Sequence, residues 1–166
     1  MVRVKFVNSE ADYVEASIAC AYGSWRAGLD LIMEILGIIM GSILLAVLGF
    51  SWILVLLILA SMVGLIIRIL GYFVLPRIRF RSEPKYKQEY RLEFDDEGIR
   101  FNTDSIESKL DWIIYNKLIE TRNLYILIYG KYSFSIIPKR VLLTEADRIE
   151  FNVLMDKYIK EKIIKK

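Results

Sequence analysis

The sequence predicts an α+β membrane protein in which a transmembrane helical hairpin precedes a small antiparallel β-barrel or bent sheet capped by a C-terminal helix. Three observations carry this. No charged residue lies between Ile35 and Ile67; short runs alternate apolar and charged residues after Pro76; and a capping signature at Thr144 opens helically spaced apolar positions. The 166-residue chain divides on these grounds into residues 1–30 (strand and amphipathic helix), 31–76 (hairpin) and 77–166 (the β-rich domain).

The arm comes first. Val2, Val4 and Phe6 alternate with Arg3 and Lys5, giving a strand that needs a sheet to join. Ser9-Glu10-Ala11-Asp12 caps a helix, with acids against the positive end of its dipole. Val14, Ile18, Ala21, Tyr22, Trp25 and Leu29 supply the expected apolar stripe, which suits either the membrane interface or the β-rich domain.

The uncharged run as one helix would be about 50 Å long, against a hydrocarbon core of about 30 Å, so two shorter spans fit better. Gly49-Phe50-Ser51-Trp52 is the best break, with turn-forming residues and interfacial aromatics, giving spans of 31–48 and 52–75. About thirty mixed residues precede the run, so a cleaved signal is not expected. The turn carries no charge, whereas Arg77, Arg79, Arg81, Lys85 and Lys87 follow span two. The positive-inside bias then puts both termini in the cytoplasm of a multi-pass protein. Those five cations are candidate membrane-surface residues, explained at least by topology and also by attraction to anionic lipid.

Equal-depth bookkeeping about the turn pairs Gly37 with Gly64 and Gly41 with Ala60, a small-residue interface that lets helix backbones approach. It also faces Glu34 with Arg68. An isolated charge there costs about 2–3 kcal/mol, so the pair is read as structural, with a transport role as the sharper alternative.

In the third segment, Tyr90 to Phe94 and Ile99 to Asn102 form a hairpin about Asp95-Asp96-Glu97-Gly98. Strands follow at Lys109 to Trp112, Lys117 to Thr121 and Leu124 to Tyr129, the last apolar enough to be central. Gly130-Lys131 turns into Tyr132 to Ile136. The final helix runs to about Ile164 and buries Ile149, Val153, Leu154, Tyr158 and Ile159. Lys160, Lys162, Lys165 and Lys166 solvate its end. Trp112 belongs to the core, and Pro138 ends a strand.

The chain has no histidine and one cysteine, Cys20, which excludes histidine-built metal sites, a histidine triad and an internal disulfide. No cofactor is expected, and the Asp95-Asp96-Glu97 cluster reads as a solvated turn. A net charge of +3 does not suggest nucleic acid.

The arm, the hairpin, Phe94-Asp95-Asp96-Glu97-Gly98-Ile99, Trp112, Glu120-Thr121, Tyr125 and Ile137-Pro138-Lys139-Arg140 together resemble the YcxB-like family of bacterial membrane proteins, over most of the chain. The resemblance implies a C-terminal pleckstrin-homology-like (PH-like) domain facing the cytoplasm, in a family tied to no single biochemical activity. Completing such a domain requires a strand from 3–7 or 77–81. The expected function is a non-enzymatic binding module at the inner face of the membrane, with membrane lipids and a protein as partners, and Lys139 and Arg140 as a candidate partner loop. Homo-oligomerisation is open. An immunity protein against a membrane-directed toxin is the alternative, and a channel or transporter subunit a third.

Overall fold

The computed structural model describes residues 1–21, 25–103, 106–130 and 133–165, with the backbone alone for 25–27. The expected turn at Gly130-Lys131, the residues Tyr22, Tyr132 and Lys166, and the side chains of Trp25 and Arg26 lie outside that description.

Two long helices form the hairpin: α2 (Trp25–Leu48) and α3 (Trp52–Ile69). Gly49 stops the first at φ +84°, a conformation that favours glycine, and Phe50 meets Trp52 edge-to-face at 4.9 Å. Both helices are long and apolar enough to cross a membrane. The second continues through a π-helical turn, Leu70–Val74, into α4 (Leu75–Ser82), so the segment once available as a strand, 77–81, is helical. Pro76 causes the local rearrangement: it cannot donate to the carbonyl one turn back, and a widened turn accommodates the interruption.

The β-rich part contains two four-stranded sheets. In the first, β1 (Val2–Val7), β2 (Glu89–Asp95), β3 (Gly98–Asn102) and β4 (Glu107–Leu110) lie in chain order, all antiparallel. The arm is therefore the strand that completes this sheet, with Val2 opposite Phe94 and Phe6 opposite Tyr90. Val2, Val4 and Phe6 turn inward, while Arg3 pairs with Glu93 at 2.9 Å on the outer face.

The second sheet has the order β7-β6-β5-β8: β5 (Lys117–Glu120), β6 (Leu124–Ile128), β7 (Phe134–Pro138) and β8 (Glu161–Ile164). Residues 161–164, expected within the last helix, are instead a strand parallel to β5. Helix α5 (Glu145–Tyr158) stops earlier because the following residues satisfy the open edge of β5, down to Lys165 N–H donating to Glu120 O at 2.7 Å. Among the described residues the two sheets do not close into a barrel.

Two cores flank the second sheet, which is why β6 is apolar at nearly every position. On one face Tyr125 and Leu127 join Val2, Phe94, Trp112 and Phe151 of α5. On the other, Leu124 and Ile126 meet Tyr13, Ala16 and Ala19 of α1 (Glu10–Ala21) and Phe80 of α4. The docked face of α1 thus differs from the expected stripe: Leu29 is exposed and Ile18 only half-buried. The alanines let α1 lie close to the sheet, and Tyr13 fills an aromatic cluster with Phe80, Tyr86 and Phe134.

Two further expectations change. Ile149 and Val153 are each 57% exposed, because α5 turns Phe151, Leu154 and Met155 inward. Trp112 is buried as expected but sits in a 3-10 turn after β4, its indole N–H donating to Asp95 O at 2.8 Å.

Candidate functional site

The hairpin interface repeats every three and four residues, through Glu34, Gly37, Gly41 and Leu44 on α2 and Ile58, Ser61, Gly64 and Arg68 on α3. Its register is offset from the equal-depth pairing. Gly37 faces Ser61, Gly41 faces Ile58, and Gly64 faces Glu34, whereas Ala60 is exposed and outside the seam. Small residues therefore receive larger ones across the interface. A Cβ on Gly41 would stand 2.7 Å from Ile58 Cγ1. Ser61 Oγ donates to Leu57 O at 2.9 Å, so its hydroxyl is satisfied within its own helix.

At the domain end of this seam Arg68 forms a two-point bond with Glu34: Nε to Oε2 at 3.0 Å and Nη2 to Oε1 at 2.9 Å. Asp30 stands 3.9 Å from the same Nη2, and the Tyr72 ring lies 5.8 Å from the guanidinium carbon. The planar fork matches a carboxylate and keeps both charges on each other.

The cations beyond the second helix separate into two groups. Arg77 and Arg79 project from α4 and are exposed; no ion pair joins either to another described side chain. The others are engaged: Arg81 grips Glu10 at 2.8 and 3.0 Å, Lys85 pairs with Glu83, and Lys87 donates to Arg81 O at 2.9 Å. The Arg81–Glu10 pair draws the Glu10 carboxyl below its ordinary value, the hydrogen bond outweighing desolvation.

Lys139 and Arg140 serve the fold. Lys139 donates to Glu120 Oε1 at 2.6 Å and lies 4.9 Å from the Tyr125 ring centre. Arg140 holds Asp12 of α1 with both terminal nitrogens. Burial would raise the Asp12 carboxyl, but Arg140 and the Ser9 backbone and hydroxyl outweigh it and hold it below the ordinary value. The expected Ser9 cap is reciprocal: Asp12 N–H donates to Ser9 Oγ, and Ser9 N–H to Asp12 Oδ2. Glu15 adds bonds from Thr121 and Asn123, and Lys165 donates to Ala19 O. Helix α1 is thereby fastened to the strands from several directions.

The acidic turn is also occupied by structural work. Asp95 Oδ1 accepts from the N–H groups of Glu97 and Gly98, Asp96 accepts from Lys157 and Tyr158, and Glu97 pairs with Lys109. Gly98 has φ +150°, and a Cβ there would meet Leu110 O at 2.5 Å.

Sequence patterning missed the Arg140–Asp12 pair and the exposed face of α5. An acid at the third position after Ser9 was visible as a cap, but its second partner lies 128 residues away. Ile149 and Val153, taken for core, are the apolar side chains α5 leaves outward.

No curated protein and no solved structure matches the chain significantly. The family match contains Phe94-Asp95-Asp96-Glu97-Gly98-Ile99, Trp112, Tyr125 and Ile137-Pro138-Lys139-Arg140, but leaves out the arm and the hairpin, so it is narrower than the resemblance read across most of the sequence. Residues 94–155 match the model described as YcxB-like protein, and the chain carries a YcxB-like segment framed by its own arm, helical hairpin and last strand.

Proposed function

We propose that this chain is a non-enzymatic membrane-anchored binding module, with its hairpin in a bacterial cytoplasmic membrane and both ends in the cytoplasm. The pairing of β1 with β2 carries the reading. Chain before the hairpin and chain after it belong to one sheet, so both ends of an inserted hairpin must emerge on one side. The cations at 77–87 favour the cytoplasmic side under the positive-inside bias. Arg77 and Arg79, exposed where the second helix leaves its apolar stretch, suit anionic headgroups, and the remaining cations of that run secure the junction.

The domain is PH-like in this reading: two sheets with an α-helix packed at one end. A protein partner is its main target, and the exposed Ile149 and Val153 on α5 give it an apolar face. Anchoring restricts encounters to the membrane surface, so modest affinity suffices.

Photo-crosslinking in living cells tests this, with a photoreactive residue at Ile149 or Val153 of the full chain and mass spectrometry of the adducts. A discrete protein adduct that disappears with Val153→Lys is expected. Background labelling unaffected by that change would contradict a partner on this face.

A further inference from the structure

A cleft of about 440 Å³ opens between β2–β3 of the first sheet and β7 of the second, beside α1 and the turn at 84–87. Its walls are aromatic: Tyr90 and Phe101 meet edge-to-face at 5.5 Å, and Tyr13 lies 4.5 Å from Tyr86 and 6.0 Å from Phe134. Lys85 is the only charged residue on the wall, and no acid lines it among the described residues. The volume suits a small molecule.

One lining group is left with an unmet requirement. Asn8, 8% exposed, joins β1 to α1, and its Oδ1 is buried with no hydrogen-bond partner. Tyr90, on the same wall, donates its hydroxyl hydrogen to Lys85 O at 2.8 Å, so the phenol has no proton to offer Asn8, and Oδ1 is left as a free acceptor. A buried acceptor without a donor is costly, and natural folds keep few of them.

We propose that this cleft binds a small planar aromatic molecule, neutral or anionic, that stacks against the tyrosine and phenylalanine walls and donates one N–H or O–H to Asn8 Oδ1. The aromatic faces select a flat ring, no acid among the described lining residues offers a cation a counter-charge, and the orphan acceptor demands a donor. The site is formed by the arm and the β-rich domain together, and it stands whether or not the helices lie in lipid or α5 has a partner.

The test compares indole with 1-methylindole, which has the same ring and lacks the donor. The full chain, labelled with 3-fluorotyrosine and held in lipid nanodiscs, is titrated with each while the fluorine resonance of Tyr90, assigned by Tyr90→Phe, is followed. Indole is expected to shift that resonance saturably and to bind about tenfold more tightly than 1-methylindole, the fold-change for one buried hydrogen bond. Asn8→Leu collapses the preference to less than about twofold, and Asn8→Asp, which keeps the acceptor, retains it. No saturable shift up to the solubility of indole would mean that the cleft holds only water and would overturn the proposal. Equal affinities for the two probes in the unaltered chain would overturn it as well, and this comparison stands if Asn8→Leu does not fold.

Discussion

Arg140 grips Asp12 through both terminal guanidinium nitrogens, at 2.7 and 2.6 Å, joining the turn after β7 to the first turn of α1 across 128 residues of chain. The Asp12 side chain is 7% exposed and Arg140 52%, so removal of the arginine strands the less solvated charge.

Arg140→Ala is therefore expected to lower stability by about 1–3 kcal/mol at neutral pH. Asp12→Ala adds the loss of a helix cap, and a double-mutant cycle between the positions shows coupling. Thermal unfolding of the full chain in detergent measures both effects.

The same contact sets a pH dependence. Burial raises the Asp12 carboxyl, yet its bonds to Arg140 and Ser9 prevail and its folded value lies below 3.8. A depressed folded value contributes stability above the ordinary carboxylate range, and that contribution is lost as pH falls through the folded value. Melting temperature should drop on acidification below about pH 4, and Asp12→Asn should flatten that part of the profile.

Within the hairpin, Gly41→Leu is expected to separate the helices and cost about 1–3 kcal/mol, because Ile58 already occupies the space. Ala60→Leu, on the exposed side of α3, should change stability by less than about 0.5 kcal/mol. Thermal melts in one lipid nanodisc preparation compare the two.

For the ion pair, Glu34→Arg or Arg68→Glu alone sets like charges against each other where the wild type has a two-point bond. Each is expected to destabilise the hairpin by about 2–3 kcal/mol, and the double exchange to recover part of that loss. A double exchange no better than the worse single change would remove the pair as a structural element.

Cys20 offers a chemical check on the docking of α1. Burial pushes its thiol up to about 11, against a partial counter-effect from Lys165. At pH 8 roughly one thiol in a thousand is thiolate, so alkylation by iodoacetamide should be far slower than for free cysteine and should accelerate on denaturation. Rapid modification of the folded chain would show that α1 is not seated on the second sheet.

Local chemistry made much of this architecture legible. The turn at Gly49 to Trp52, the Ser9 and Thr144 caps and the alternation in β1 to β3 depend on neighbours in sequence, where periodicity has a direct meaning. The strand at 161–164 was hidden because its reason is the open edge of β5, more than forty residues away, and its lysine and isoleucines also suit a helix. The face of α1 was legible only in part: Val14 is buried as its spacing suggests, but Ile18 is half-buried, and Tyr13 is buried by aromatics from α4, β7 and the turn at 84–87. The hairpin register moved because Gly37, Gly41 and Gly64 receive Ser61, Ile58 and Glu34 instead of one another and Ala60. Lys139 and Arg140 looked like an open basic loop because their acids, Glu120 and Asp12, come from other elements.

The central claim is that one sheet, built from chain on both sides of an inserted hairpin, holds both ends in the cytoplasm. Single cysteines at Val7, Ile149 and Phe50, in a Cys20→Ala background, can be exposed to a membrane-impermeant maleimide in intact spheroplasts; all three positions are solvent-exposed in the fold. The account predicts labelling of Phe50→Cys alone before lysis, and of all three after it. Labelling of either Val7→Cys or Ile149→Cys in intact spheroplasts would contradict it.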